Sequence, residues 1–252
     1  MNYWKTTLTL LLATGLATAL PARKNVFDGR NYLKAMAKPS AADTALVTAE
    51  VRKCSQQSFL KKRLSGLAGN FAEDFKVCGS ATGAFTRPGA RQQAVLYRYS
   101  YTNGVVVLEQ GKVSAHYSGD PGDYAHYIAI AAAPDINQNG CSELILFRNV
   151  EDSAEIFAYL FEQSTYLGAA TVFESDQRAG DEPVAEKNVR EAAYLATVLP
   201  AKQPTFQHQA YRKGKGDSWS LLKPASPFAL DKGNPAKLFR IDRPARAEYE
   251  TR

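Results

Sequence analysis

Residues Gln93 to Tyr117 read QAVLYRYSYTNGVVVLEQGKVSAHY, and this stretch decides the fold class. Gln93 to Tyr101 is crowded with branched and aromatic side chains, which pack well on a pleated surface. Thr102-Asn103-Gly104 follows, and an Asn-Gly pair favours a tight hairpin turn because both residues tolerate positive φ. Val105 to Glu109 then reads as the return strand, Gly111-Lys112 as a second short turn, and Val113 to Tyr117 as a third strand. Three strands in so short a span can only run up and down beside one another.

The same texture continues downstream. Tyr127 to Ala131, Glu143 to Phe147, Glu155 to Phe161 and Gly168 to Glu174 are strand candidates, as are Tyr194 to Leu199, Phe206 to Tyr211 and Trp219 to Leu222. Short strands at regular spacing argue an antiparallel meander. Upstream the pattern is helical. Ser40 stands three residues before Asp43 as a capping pair, and Ala42, Ala45, Leu46 and Ala49 recur at helical spacing. A second helical piece carries Phe59, Leu60, Leu64 and Leu67 on one side and Lys61, Lys62 and Arg63 on the other. Ser175 to Asn188 is charged and rich in turn formers, as an exposed loop would be.

The start of the chain reads as an export signal. Lys5 is followed by an apolar run from Leu8 to Leu20, and Ala17, Ala19 and Ala22 offer small-residue cleavage positions. The run is too short for a membrane span of about 20 apolar residues. The expected organisation is therefore a signal peptide at 1–22, a lead-in with helices at 23–78, a β domain at 79–225, and a poorly packed, proline-containing tail at 226–252. In an exported chain the three cysteines invite a disulfide. Cys54 and Cys78 flank one helical segment and are the expected pair, with Cys141 left over, although all three pairings are possible on paper. The net charge of +6 is spread over Lys61 to Arg63, Arg212 to Lys215, and Arg240, Arg243 and Arg246. That balance suits an anionic polymer or an acidic protein as partner, or simply a solvated basic surface.

One loop carries specific chemistry. Asp135-Ile136-Asn137-Gln138-Asn139-Gly140-Cys141-Ser142-Glu143 places side-chain oxygens at positions 1, 3, 5 and 9, with Gly140 where the chain must turn sharply. Calcium takes six to eight oxygen ligands, and the Cys141 carbonyl could supply one more. The closing acid of an EF-hand would fall at Leu146, so that assignment fails. An Asn/Gly-rich turn held by its own side-chain hydrogen bonds uses the same residue types.

The loop resembles instead the calcium loop of FG-GAP (VCBS, integrin-α-type) repeats, in which an acid at position 9 leads into an apolar strand. Glu143 leads into Leu144-Ile145-Leu146-Phe147 in that way, while Asn137 and Asn139 are neutral where that family favours aspartates. The resemblance implies partial β-propeller-like blades and a weak calcium site at Asp135, Asn137, Asn139, Cys141 and Glu143. A degenerate copy lies upstream: Gly89 precedes Gly140 by 51 residues, and Ala84, Thr86, Pro88 and Gln92 occupy the ligand positions.

Catalytic sets are poorer. His116, Asp123 and His126 could meet at a strand edge and bind a transition metal as the centre of a hydrolase or other metalloenzyme. Gly216-Asp217-Ser218 resembles the nucleophile block of GDSL-type esterases, but it stands near the C-terminus without a following histidine and reads as a turn. The expectation is an exported, mainly β, calcium-stabilised module that binds an extracellular or envelope ligand without catalysis.

Overall fold

The computed structural model describes residues 22–55, 71–99, 102–119, 127–149, 155–175, 191–233 and 236–241. The expected signal segment, the expected helical piece around Phe59 to Leu67, residues 120–126, the expected loop after Ser175 and the last eleven residues lie outside them. The described chain is mainly β, in antiparallel sheets with a short helical part. In order it contains β1 (Lys24–Asp28), a 3-10 turn (Tyr32–Ala35), α1 (Ala41–Ser55), the single turn α2 (Phe71–Asp74), β2 (Phe75–Gly83), β3 (Gln92–Tyr99), β4 (Thr102–Glu109) and β5 (Lys112–Gly119). There follow β6 (Tyr127–Ala132), β7 (Leu144–Asn149), β8 (Ile156–Glu162), β9 (Thr165–Ser175), β10 (Glu191–Leu199), β11 (Thr205–Lys213), β12 (Trp219–Phe228) and β13 (Leu238–Arg240).

Two sheets form. The smaller runs β13-β5-β4-β3-β2, and the larger runs from β6 to β12 in chain order, with β1 added on β10. No described helix is long and apolar enough to cross a membrane. The Ser40 cap forms as expected: the Asp43 N–H donates to Ser40 Oγ at 3.1 Å, and the Ser40 hydroxyl donates back to Asp43 Oδ2 at 2.7 Å.

Both ends of the described chain are better held than their composition suggests. The lead-in contributes β1, whose Val26 and Phe27 are buried. Two buried side chains outweigh the lack of a long periodic pattern. The tail contributes β13, where Leu238 is buried and pairs with Gly119, and Ile241 N–H donates to the His116 carbonyl at 2.8 Å. β12 also runs past Leu222 through Pro224 and Pro227, which an edge strand tolerates because it need not donate on its open side.

The expected Cys54–Cys78 disulfide does not form, and all three cysteines are free. Cys54, on α1, is buried beside Glu50 and His116. Cys78 falls where the β2–β3 register shifts, between Val77 and Gly79.

Packing gives three layers. One face of the smaller sheet (Leu96, Val105, Val107, Tyr117) meets the larger sheet (Ile130, Leu146, Phe161). The opposite face (Val95, Tyr97, Val106, Leu108) is covered by Val47 and Val51 of α1. A further cluster joins Ile145 and Leu160 to Val26, Ala196 and Val198, so the larger sheet folds back on itself.

The Asn103-Gly104 pair is not the turn. Register places Tyr99 opposite Thr102 and Tyr97 opposite Gly104, so Asn-Gly lies inside β4. The glycine is needed for close approach: a Cβ there would sit 2.3 Å from the Tyr97 hydroxyl and 2.6 Å from the Tyr117 carbonyl oxygen. Overpacking of this kind typically costs about 1–3 kcal/mol. Gly104→Ala is therefore expected to lower the denaturant midpoint accordingly, and an unchanged midpoint would contradict the close packing of Tyr97 on β4.

Candidate functional site

The loop between β6 and β7 turns its side-chain oxygens inward. Asp135 Oδ1 accepts from the Asn139 N–H at 3.0 Å, and Asp135 Oδ2 from the Gly140 N–H at 2.7 Å. Asn137 Oδ1 accepts from the same Asn139 N–H at 3.2 Å, and Asn139 Oδ1 from the Cys141 N–H at 2.8 Å. Gln138 and Gly140 take positive φ of 60° and 85°, which folds the chain around these acceptors. These are Asx-type bonds, and they hold the loop closed by themselves.

Glu143 is the exception. It has no exposed surface. One oxygen accepts from the Ile136 N–H at 3.1 Å, while Oε1 has no hydrogen-bond partner. Burial pushes its carboxyl up to about 7; the charges of Asp135 and Glu162 add to this, and backbone N–H groups oppose it. The Cys141 thiol is pushed up by burial and by the same three carboxylates.

Glu162, at the end of β8, did not emerge from the loop motif. The side-chain amides of Asn137, at 3.1 Å, and of Asn139 both donate to its carboxylate. A signal for it exists in the chain: Glu162-Gln163 precedes the β8–β9 turn as Glu109-Gln110 precedes the β4–β5 turn, and both glutamines have positive φ.

That echo extends through the degenerate loop. Gly89 and Gly140 both have positive φ. Gln92 stands where Glu143 stands and is likewise buried, with its Oε1 accepting from the Thr86 N–H at 2.9 Å. Its amide donates to Glu109 at 2.8 Å, and Arg87 forms an ion pair with the same carboxylate. The Gln92 amide and Arg87 together hold Glu109 below the usual carboxylate range. The first loop is thus neutral at the buried position and brings its own cation. The second has an acid there, two more acids around it, and Gln138 where Arg87 stands. The loops also touch: Ser142 N–H donates to the Ala84 carbonyl at 2.9 Å, and Ala84 N–H to Ser142 Oγ at 3.2 Å.

The transition-metal set divides differently. Asp123 and His126 lie outside the described residues. His116 points under α1, where Tyr97 Oη lies 2.8 Å from Nε2 and Cys54 Sγ 3.6 Å from Nδ1. Glu50 Oε1 lies 3.6 Å from the same nitrogen. Burial drives the imidazole pKa down to about 4 and the Tyr97 hydroxyl and Cys54 thiol up. Among the described residues, Glu50, Cys54 and His116 are the only group of three such side chains whose ligand atoms all lie within 4.8 Å of one another.

Gly216-Asp217-Ser218 is a turn. Gly214 N–H donates to the Ser218 carbonyl at 2.9 Å, and the Ser218 hydroxyl donates to the Lys215 carbonyl at 2.8 Å. His208 stacks on Phe228 instead of approaching that serine. In the neighbouring basic run, Lys213 is paired with Glu191 at 2.6 Å. No protein-family model matches the chain, and no curated protein or solved structure matches it either.

The Glu143 environment has a pH signature. A carboxyl at about 7 in the fold and about 4.5 when unfolded favours the protonated folded state. Its stabilising contribution is complete below about pH 4.5 and is lost as pH rises through about 7. Glu143→Gln keeps the acceptor for Ile136 and removes the charge. With chelator present, the variant's stability advantage over the parent is expected to grow by on the order of 3 kcal/mol between pH 4.5 and 8. Parallel pH–melting curves for the two proteins would show that Glu143 does not titrate as described.

Proposed function

We propose that the chain is an exported, non-catalytic binding module whose Asp135–Glu143 loop is stabilised by a calcium ion, in keeping with its resemblance to FG-GAP repeats. One observation carries the reading: a fully buried carboxylate, Glu143, with an unpartnered oxygen and two further carboxylates around it. A buried, unpaired charge is costly. The degenerate loop meets the same problem with a neutral Gln92 and the built-in cation Arg87; the intact loop has neither.

The residues present fit a hard cation, since every donor in the set is an oxygen. Asp135, Asn137, Asn139 and Glu143 would hold it by their side chains and Cys141 by its carbonyl, with Glu162 as a further acid. The ion would supply positive charge against three acids and leave the loop rigid between the two sheets. A net charge of +6 favours an anionic polymer or an acidic protein of the envelope or extracellular space.

Millimolar calcium is expected to raise the melting temperature relative to chelator, in proportion to RT ln(1 + [Ca]/Kd), about 1.4 kcal/mol at ten times Kd. Asp135→Ala should abolish the rise and Glu162→Gln should reduce it. Superimposable melts of the parent protein in calcium and in chelator would refute the proposal.

A further inference from the structure

We infer that Glu50, Cys54 and His116 form a binding site for a divalent transition-metal ion of the zinc class, separate from the calcium loop. Glu50 and Cys54 are four residues apart on α1 and therefore share one helix face. Val47 and Val51 anchor that helix to the smaller sheet, which brings both side chains over His116 of β5. All three are at most 4% exposed.

The spacing of the donor atoms matches a tetrahedral ion. Sγ to Oε1 is 3.4 Å, Sγ to Nδ1 is 3.6 Å and Nδ1 to Oε1 is 3.6 Å. Zinc bonds of about 2.3 Å to sulfur and about 2.0–2.2 Å to nitrogen and oxygen, at tetrahedral angles, separate the ligand atoms by about 3.4–3.6 Å. The imidazole–carboxylate distance is too long for a hydrogen bond, and the two groups are bridged by the Cys54 thiol, which donates to Glu50 and lies within reach of His116; a bound ion would replace the thiol proton and use the same three atoms as ligands. A thiolate, a carboxylate and a neutral imidazole together balance a doubly charged ion.

The surroundings are those of a ligand set. Tyr97 Oη, 2.8 Å from Nε2, can accept a hydrogen bond from Nε2–H and leave the Nδ1 lone pair facing sulfur and carboxylate. Gly104 keeps the space that Tyr97 needs to reach there. Three protein ligands leave a fourth tetrahedral position. A cleft of about 260 Å³ adjoins the site, lined by Glu50, His116, Ser114, Arg240 and Ile241, so an exchangeable water or a small anionic ligand has room. Tyr97 is a positioning residue here, acting through His116.

Cobalt(II) titration of the full, chelator-treated protein tests the site. The parent is expected to develop a thiolate-to-cobalt absorption band that saturates stoichiometrically and is displaced by zinc. Cys54→Ser should lose the band and Cys78→Ser should keep it. Tyr97→Phe, which preserves the ring, should bind cobalt about 10–100-fold more weakly, the range typical of a lost partner to a metal-bound histidine. Should Cys54→Ser fail to fold, the parent titration and Tyr97→Phe still decide. A parent that takes up neither cobalt nor zinc, a band that survives Cys54→Ser or vanishes in Cys78→Ser, or an unchanged affinity in Tyr97→Phe overturns the inference.

Discussion

Every residue of β4 from Thr102 to Leu108 is buried, because the smaller sheet is covered on both faces. Val105 and Val107 meet the larger sheet while Val106 and Leu108 meet α1. Each such side chain contributes about 1.5–3 kcal/mol when fully removed from water, so this strand is the axis about which the three layers assemble. Burial on both sides also sets a condition: any polar group placed there must find a partner inside the protein. His116 does so through Tyr97, and Glu50 and Cys54 of α1 lie beside the same ring.

The same constraint acts where the sheets meet at their loops. The β2–β3 and β6–β7 connections bond to each other, so their buried positions 92 and 143 are sealed from solvent by the partner loop as well as by their own turns. A glutamine satisfies such a position with its own donors and acceptor, as Gln92 shows. An ionised glutamate has only acceptors, and Glu143 Oε1 has no hydrogen-bond partner. The contrast between the two loops is therefore a difference in charge on a shared scaffold. This gives the second loop a demand for positive charge that the first one meets internally.

Much of the β architecture was legible in the chain. The strands from Gln93 onward follow their branched and aromatic runs, and the turn expected at Gly111-Lys112 falls one residue earlier, at Gln110-Gly111, where both residues take positive φ. The elements that escaped notice are β1, β2 and β13. β2 carries Gly79, Ser80, Ala81 and Gly83, poor strand formers by composition. It pairs because Gly79 fits beneath Met36 and because β3 supplies a partner along its whole length. β1 and β13 are short and depend on β10 and β5 for their pairing. Asn103-Gly104 misled in the opposite sense. The dipeptide allows a turn, but a bulky ring opposite it claims the same glycine for packing.

Local chemistry, then, is what the amino-acid order settled alone: the mainly β class, the capped helix, and a loop whose oxygens turn inward from Asp135 to Asn139. Tertiary structure decided which distant groups share a space. Glu162 reaches the loop from another strand, Arg87 answers Glu109 from 22 residues away, and Cys54 faces His116 rather than Cys78. Backbone preference and turn formation act over a few neighbouring residues, so they leave a trace in adjacent letters. Burial of charge and convergence of ligands depend on strand register and layer packing, which bring together residues that have no pattern in common along the chain.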